Sequence, residues 1–156
     1  MKIGLAADHA GFELKEDLKS FLKDEGLEVQ DMGSYSPEYT DYPDWGVKLA
    51  RMISSQQLAS GILICATGVG MSVVANKFPG VRAALVTDIE MARKSKEHNN
   101  SNVLVLASSL TTKTRARILV KEWMEAEFKG GQHSLRLEKI NGLEKELYNN
   151  HKRSKE

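Results

Sequence analysis

The amino-acid sequence predicts an α/β fold: a doubly wound three-layer sandwich around a five-stranded parallel sheet. Three observations carry that expectation. Short, mostly apolar runs recur along the chain, which is how strands read when both faces of a sheet are covered. Longer stretches between them repeat apolar residues at helical spacing. The two kinds alternate, and strand–helix alternation builds parallel sheets with helices on both sides.

Residues 3–7 form the first strand. Phe12, Leu14, Leu18, Phe21 and Leu22 then mark one face of a helix, with lysines and glutamates between them. Gly26 stops it, as glycine commonly does just past a helix end. Residues 27–30 are a second short strand, and 33–43 a loop carrying Tyr35, Tyr39 and Tyr42. Residues 45–53 suit a helix, and 61–65, 81–86 and 103–106 complete the strands. Further helices are expected over 70–77, 89–97, 112–127 and 135–148. Residues 149–156 include no apolar residue and read as a frayed polar tail. The expectation is one Rossmann-like domain over 1–148 followed by that tail.

At 156 residues the chain has the length of one domain. Hydrophobic residues make up 41%, ordinary for a globular protein, and 22 Lys+Arg against 21 Asp+Glu leave a net charge of +1. A general nucleic-acid or membrane-surface binder would show a basic excess, so neither partner is expected. No apolar run approaches the ~20 residues of a membrane helix. The opening apolar stretch, ended by Asp8, is too short for a secretory signal. The lone Cys65 excludes an internal disulfide and fits a reducing compartment, so the expected setting is the cytoplasm. His9, His98, His133 and His151 show no ligand spacing, which argues against a metal, and no cofactor is expected.

In a doubly wound fold the ligand site lies outside the carboxyl ends of the strands. That rule selects Asp8 and His9, the run Cys65 to Gly70, Thr87 and Asp88, and Ala107 to Ser109. Gly68 and Gly70 let the backbone turn tightly between a strand and a helix, and the free N–H groups there suit an anion. The glycines could equally serve the turn alone. No Gly-Lys-Ser/Thr follows, and the spacing is not that of a dinucleotide loop, so a sugar oxyanion or a single phosphate fits best. Cys65 is either a thiolate base or nucleophile or a small buried hydrophobe. Thr67 places a hydroxyl near substrate or caps a helix. Asp8 and His9 can bind sugar hydroxyls and move protons, or Asp8 caps the next helix. His98 at a helix end answers the dipole, Asn99 and Asn100 suit a left-handed stop, and Arg136 reads as solvated.

Several segments together resemble the type B ribose-5-phosphate isomerases. They are Asp8-His9-Ala10-Gly11-Phe12 with Leu14-Lys15, Thr40-Asp41-Tyr42-Pro43, Gly61 to Gly70 with Met71-Ser72, and Ala75-Asn76-Lys77. Val81-Arg82-Ala83-Ala84, His98-Asn99 with Asn102-Val103-Leu104, and Gly130-Gly131-Gln132-His133 with Arg136 continue the match to about Glu144. The wider family includes galactose-6-phosphate isomerase subunits. The resemblance implies a metal-independent aldose–ketose isomerisation through an enediolate, ribose 5-phosphate to ribulose 5-phosphate in the pentose phosphate pathway. It implies a homodimer or tetramer with active sites shared between subunits. It makes Cys65 the carbon base, Thr67 the hydroxyl relay, and Asp8 with His98 of the other subunit the ring-opening pair. The amides of Ala66, Gly68, Val69 and Gly70 would hold the enediolate oxygen. Asn99 would contact the reacting oxygens, His9 and Arg136 the phosphate, and Tyr42 would line the pocket.

Two departures stand out. Gln132 and Ser109 occupy positions where the family often has arginine. Each charge-assisted hydrogen bond contributes ~1.5–3 kcal/mol, so the losses bear on a phosphate dianion. Lys113 is a nearby compensating candidate. The alternatives are an isomerase of allose, galactose or tetrulose phosphate, or an inactive binding protein of the same fold. A receiver domain would need an aspartate where Cys65 stands.

Overall fold

The computed structural model describes residues 2–153. Its elements are β1 (Lys2–Ala7), α1 (Phe12–Asp24), β2 (Glu28–Asp31), α2 (Tyr42–Ser54), β3 (Gly61–Cys65), α3 (Val69–Ala75), β4 (Ala83–Leu85), α4 (Ile89–Asn99), β5 (Val103–Ala107), α5 (Lys113–Glu125) and α6 (Gln132–Arg153). The five strands are parallel in the order β2-β1-β3-β5-β4. The chain therefore leaves β1 toward one edge and β3 toward the other. The switch point lies between these two strands, where doubly wound sheets hold ligands.

Period-two alternation sorts the strand residues into two cores. Ile3, Leu5, Ala7, Ile62, Ile64, Leu104 and Leu106 face α1, α4 and α5. Ala6, Leu63, Cys65, Val103 and Val105 face α2 and α3. Trp123 of α5 is the largest side chain buried, and its indole N–H donates to Ser101 Oγ at 2.7 Å, which leaves no orphan polar atom in that core. Among the described residues, no helix is long and apolar enough to cross a membrane.

Three elements differ from the sequence reading. Helix α2 starts at Tyr42, inside the expected 33–43 loop, because Pro43 suits the first helical turn. The expected strand over 81–86 shortens to Ala83–Leu85. Val81 N–H donates to Phe78 in a turn, and the Asn102 side chain takes the Arg82 N–H at 2.8 Å. The last helix begins at Gln132 and continues to Arg153, so the described part of the expected tail, 149–153, is helical rather than frayed. Polar residues alone do not stop a helix, and no proline intervenes. Residues 154–156 lie outside the described residues. Helix α6 packs chiefly on α4, with Glu144 accepting the Gly80 N–H on both carboxylate oxygens at 2.9 and 3.0 Å.

Among the described residues, one charged side chain sits fully inside. Lys15 of α1 has no exposed surface, and its ammonium donates to both Asp31 oxygens at 2.8 Å. Asp31 Oδ1 also accepts the Gly33 N–H at 3.0 Å. Gly33 and Ser34 in turn bond the backbone of Ala7, the last residue before Asp8. The ion pair thus fixes the end of β1. Burial opposes the Asp31 charge, but the Lys15 and Lys19 hydrogen bonds outweigh it and hold the carboxyl below its ordinary value. A depressed folded value contributes stability that is present above the unfolded value of ~3.9 and lost as pH falls through the folded one. Lys15→Met should cost ~1–3 kcal/mol in urea titrations, since it removes two charge-assisted bonds to Asp31 and leaves that carboxylate to Lys19 and the Gly33 N–H. Asp31→Asn should flatten the acid limb of the stability curve measured in the same way.

Candidate active site

The first part of the site lies at the adjacent carboxyl ends of β1 and β3. Asp8 is buried, and its Oδ1 accepts the Gly11 N–H at 3.0 Å, closing the turn before α1. The neighbouring His9 places Nδ1 3.0 Å from the Thr40 carbonyl oxygen and 3.3 Å from the Thr40 nitrogen. That leaves Nε2 as the nitrogen open to a ligand. The Trp45 indole holds the Thr40 hydroxyl at 2.8 Å, so the 33–43 loop and α2 together orient this imidazole. The sequence reading missed Thr40 as a support, because a backbone carbonyl leaves no mark in residue type.

Cys65 ends β3 on the α2–α3 face and is buried. Its Sγ accepts the Gly68 N–H at 3.2 Å, a donor that stabilises negative charge on sulfur. The close return of the chain needs Gly68 at φ +74, with Leu85 packed where a Cβ would stand. Thr67 Oγ1 accepts the Val69 N–H at 3.4 Å and remains solvent-accessible. Gly70 lies against the Tyr42 ring so closely that a Cβ would fall 2.6 Å from it. Tyr42, Ala66, Thr67, Gly68, Val69 and Gly70 therefore share one mouth with Asp8 and His9.

The remaining expected residues stand elsewhere on the same chain. Helix α4 carries eleven residues, about 16 Å, back from the carboxyl edge of the sheet. It ends at His98 and Asn99, and Asn100 makes the left-handed stop at φ +47. The next strand opens at Val103, in register with Gly61, the first residue of β3. His98 and Asn99 are thus at the amino edge. Gln132 and Arg136 join them there through the start of α6, because the His133 ring stacks on His98 at 4.2 Å and 9°. The sequence reading included His133 in a segment of the resemblance but gave it no role. Desolvation, then His98, Arg136 and Lys129, hold its imidazole below its ordinary value. Lys113 faces Asp17 on α1, which it helps keep ionised.

The ribose/galactose isomerase family matches residues 3–140. Ribose-5-phosphate isomerase B of Escherichia coli is 40% identical over 143 residues, 92% of this chain and 96% of its own. The structure of the Clostridium thermocellum ribose-5-phosphate isomerase B superposes with a TM-score of 0.92 at 46% identity, covering 94% of this chain and 99% of that one. The Mycoplasma genitalium enzyme, solved with bound ribulose-5-phosphate, gives 0.89 at 39% identity over 93% and 97%. The chain belongs to the ribose/galactose isomerase family and is an aldose–ketose isomerase.

Gly68→Ala tests the turn on which this mouth depends. A Cβ there meets Leu85 at 2.4 Å and adopts a left-handed φ. The variant should lose ~1–3 kcal/mol of stability by thermal unfolding and most of its turnover.

Proposed function

We propose that this chain interconverts ribose 5-phosphate and ribulose 5-phosphate without a metal, in the cytoplasm, as a single 1–148 domain with a terminal extension. The observation that carries this reading is the juxtaposition of Asp8 and His9 with Cys65, Thr67 and the following amides across β1 and β3. A relative of the same fold was solved with ribulose-5-phosphate.

The steps balance on these residues. Asp8, with His98 of a second copy, opens the furanose ring. The Cys65 thiolate takes the proton from C2, and the C2–H electrons form the C1=C2 bond while the carbonyl π pair moves to O1. The amides of Ala66, Gly68, Val69 and Gly70 serve this oxyanion, those of Gly68 and Val69 by leaving Cys65 Sγ and Thr67 Oγ1; removing one such donor typically costs ~3–4 kcal/mol. Thr67 relays the O2 proton to O1. The C2–O2 carbonyl then forms, and the Cys65 thiol returns its proton to C1. His9 and Arg136 take the phosphate, Asn99 and Gln132 contact polar groups of the sugar phosphate, and Tyr42 lines one wall.

The division of these residues between the two sheet edges supports a homodimer or tetramer. The monomer cannot bring His98, Asn99, Gln132 and Arg136 to Cys65, but a second copy can. Ile140, Leu143 and Leu147 on α6 are each more than half exposed at helical spacing, which supports that contact. Gln132 and Ser109 in place of arginines favour a second reading, an isomerase of allose, galactose or tetrulose phosphate.

Turnover of a panel of these sugar phosphates with EDTA present separates the readings. Ribose 5-phosphate should turn over fastest, and Cys65→Ala should abolish it; a preference for another sugar would select the second reading. Mixing Cys65→Ala with His98→Ala, each inactive, should restore about one quarter of wild-type activity after random subunit exchange between two-fold dimers. No recovery despite exchange shown by mass spectrometry would refute shared sites.

A further inference from the structure

The segment after β5 grips the mouth from behind. Ser108 N–H donates to the Cys65 carbonyl at 2.9 Å, and Ser109 N–H to the Ala66 carbonyl at 3.0 Å. Both hydroxyls repeat the grip. Ser108 Oγ lies 2.8 Å from the Ala10 carbonyl and 3.2 Å from that of Cys65, while Ser109 Oγ donates to Ala66. Two consecutive carbonyls thus point toward the β5–α5 segment. In a trans peptide the N–H points opposite to the C=O of the same unit. The N–H groups of Ala66 and Thr67 must then point away from the serines, toward the side where β1 ends in Asp8 and His9. Successive N–H groups aimed one way form an anion-binding concavity. Through Ala10, Ser108 also ties the Asp8–His9 turn to the Cys65 turn.

We propose that Ser108 and Ser109 are positioning residues: they turn the Cys65 and Ala66 peptides so that the following amides face the oxyanion. Neither hydroxyl is aimed at substrate; each acts through a backbone carbonyl. The inference rests on the isomerase reading for its kinetic consequence, but its structural half stands apart. A hydrogen bond to a carbonyl restricts peptide rotation whether or not a substrate follows.

The test uses the full-length protein and the variants Ser108→Ala, Ser109→Ala and Ser109→Thr. Each alanine variant should lower kcat for the preferred sugar phosphate about tenfold, with KM moving less than about twofold, because misplaced donors harm the transition state more than ground-state binding. Ser109→Thr keeps the hydroxyl and should restore kcat to within about threefold of wild type. Amide hydrogen exchange, read without substrate, should quicken about tenfold over residues 65–68 in the alanine variants and stay unchanged in α1 and α5. A rise in KM at constant kcat would make the serines substrate contacts and overturn the proposal. So would unchanged exchange over residues 65–68. If no sugar phosphate is turned over by the wild type, quickened exchange still upholds the clamp while the isomerase reading falls.

Discussion

A parallel sheet covered on both faces is the constraint from which the rest follows. Its strands cannot be joined by hairpins, so every connection crosses over as a helix and buries one face. Leaving β1 in one direction and β3 in the other parts the helices above the two strands' carboxyl ends. Asp8 and Cys65 are simply the residues that follow β1 and end β3. Their proximity is a property of strand order, with Ala7 in register with Ile64, rather than of any contact between the two side chains.

Within that crevice, backbone groups do much of the positioning. The Thr40 backbone holds His9 at Nδ1, and the Gly68 N–H reaches the Cys65 sulfur. Ionic interactions are used one layer further out. Lys15 and Asp31 do not touch the mouth, but they lock Gly33, and Gly33 locks Ala7. Rigid support beneath a short turn that carries candidate site residues is what transition-state complementarity requires, since small misplacements of donors are costly.

Much of this was legible in the sequence. Apolar runs and helical spacing located all five strands and the helices, because burial on both faces leaves a strong local pattern. The strand over 81–86 was read too long, since its hydrophobicity does not reveal that Asn102 takes the Arg82 N–H. The helical 149–153 was missed because polarity and disorder look alike where a helix has little to pack against. At the site, residue types exposed Cys65, Asp8 and His9. Ser109 registered as a strand-end residue and an absent arginine; its bond to the Ala66 carbonyl depends on a main-chain turn. His98 and Arg136 were legible only through resemblance, and the separation of their edge from Cys65 needed the fold.

The burial of Lys15 has a consequence for chemical accessibility. An amine with no exposed surface and a carboxylate on it is shielded from acylating reagents while the fold is closed. Lys113 and Lys121, on the surface of α5, meet the same reagents freely. Where acylation outpaces reclosing, the rate at which Lys15 is labelled is the rate at which α1 lifts from β2. The chain carries, beside the turn of its candidate site, an internal reporter for the opening of that corner.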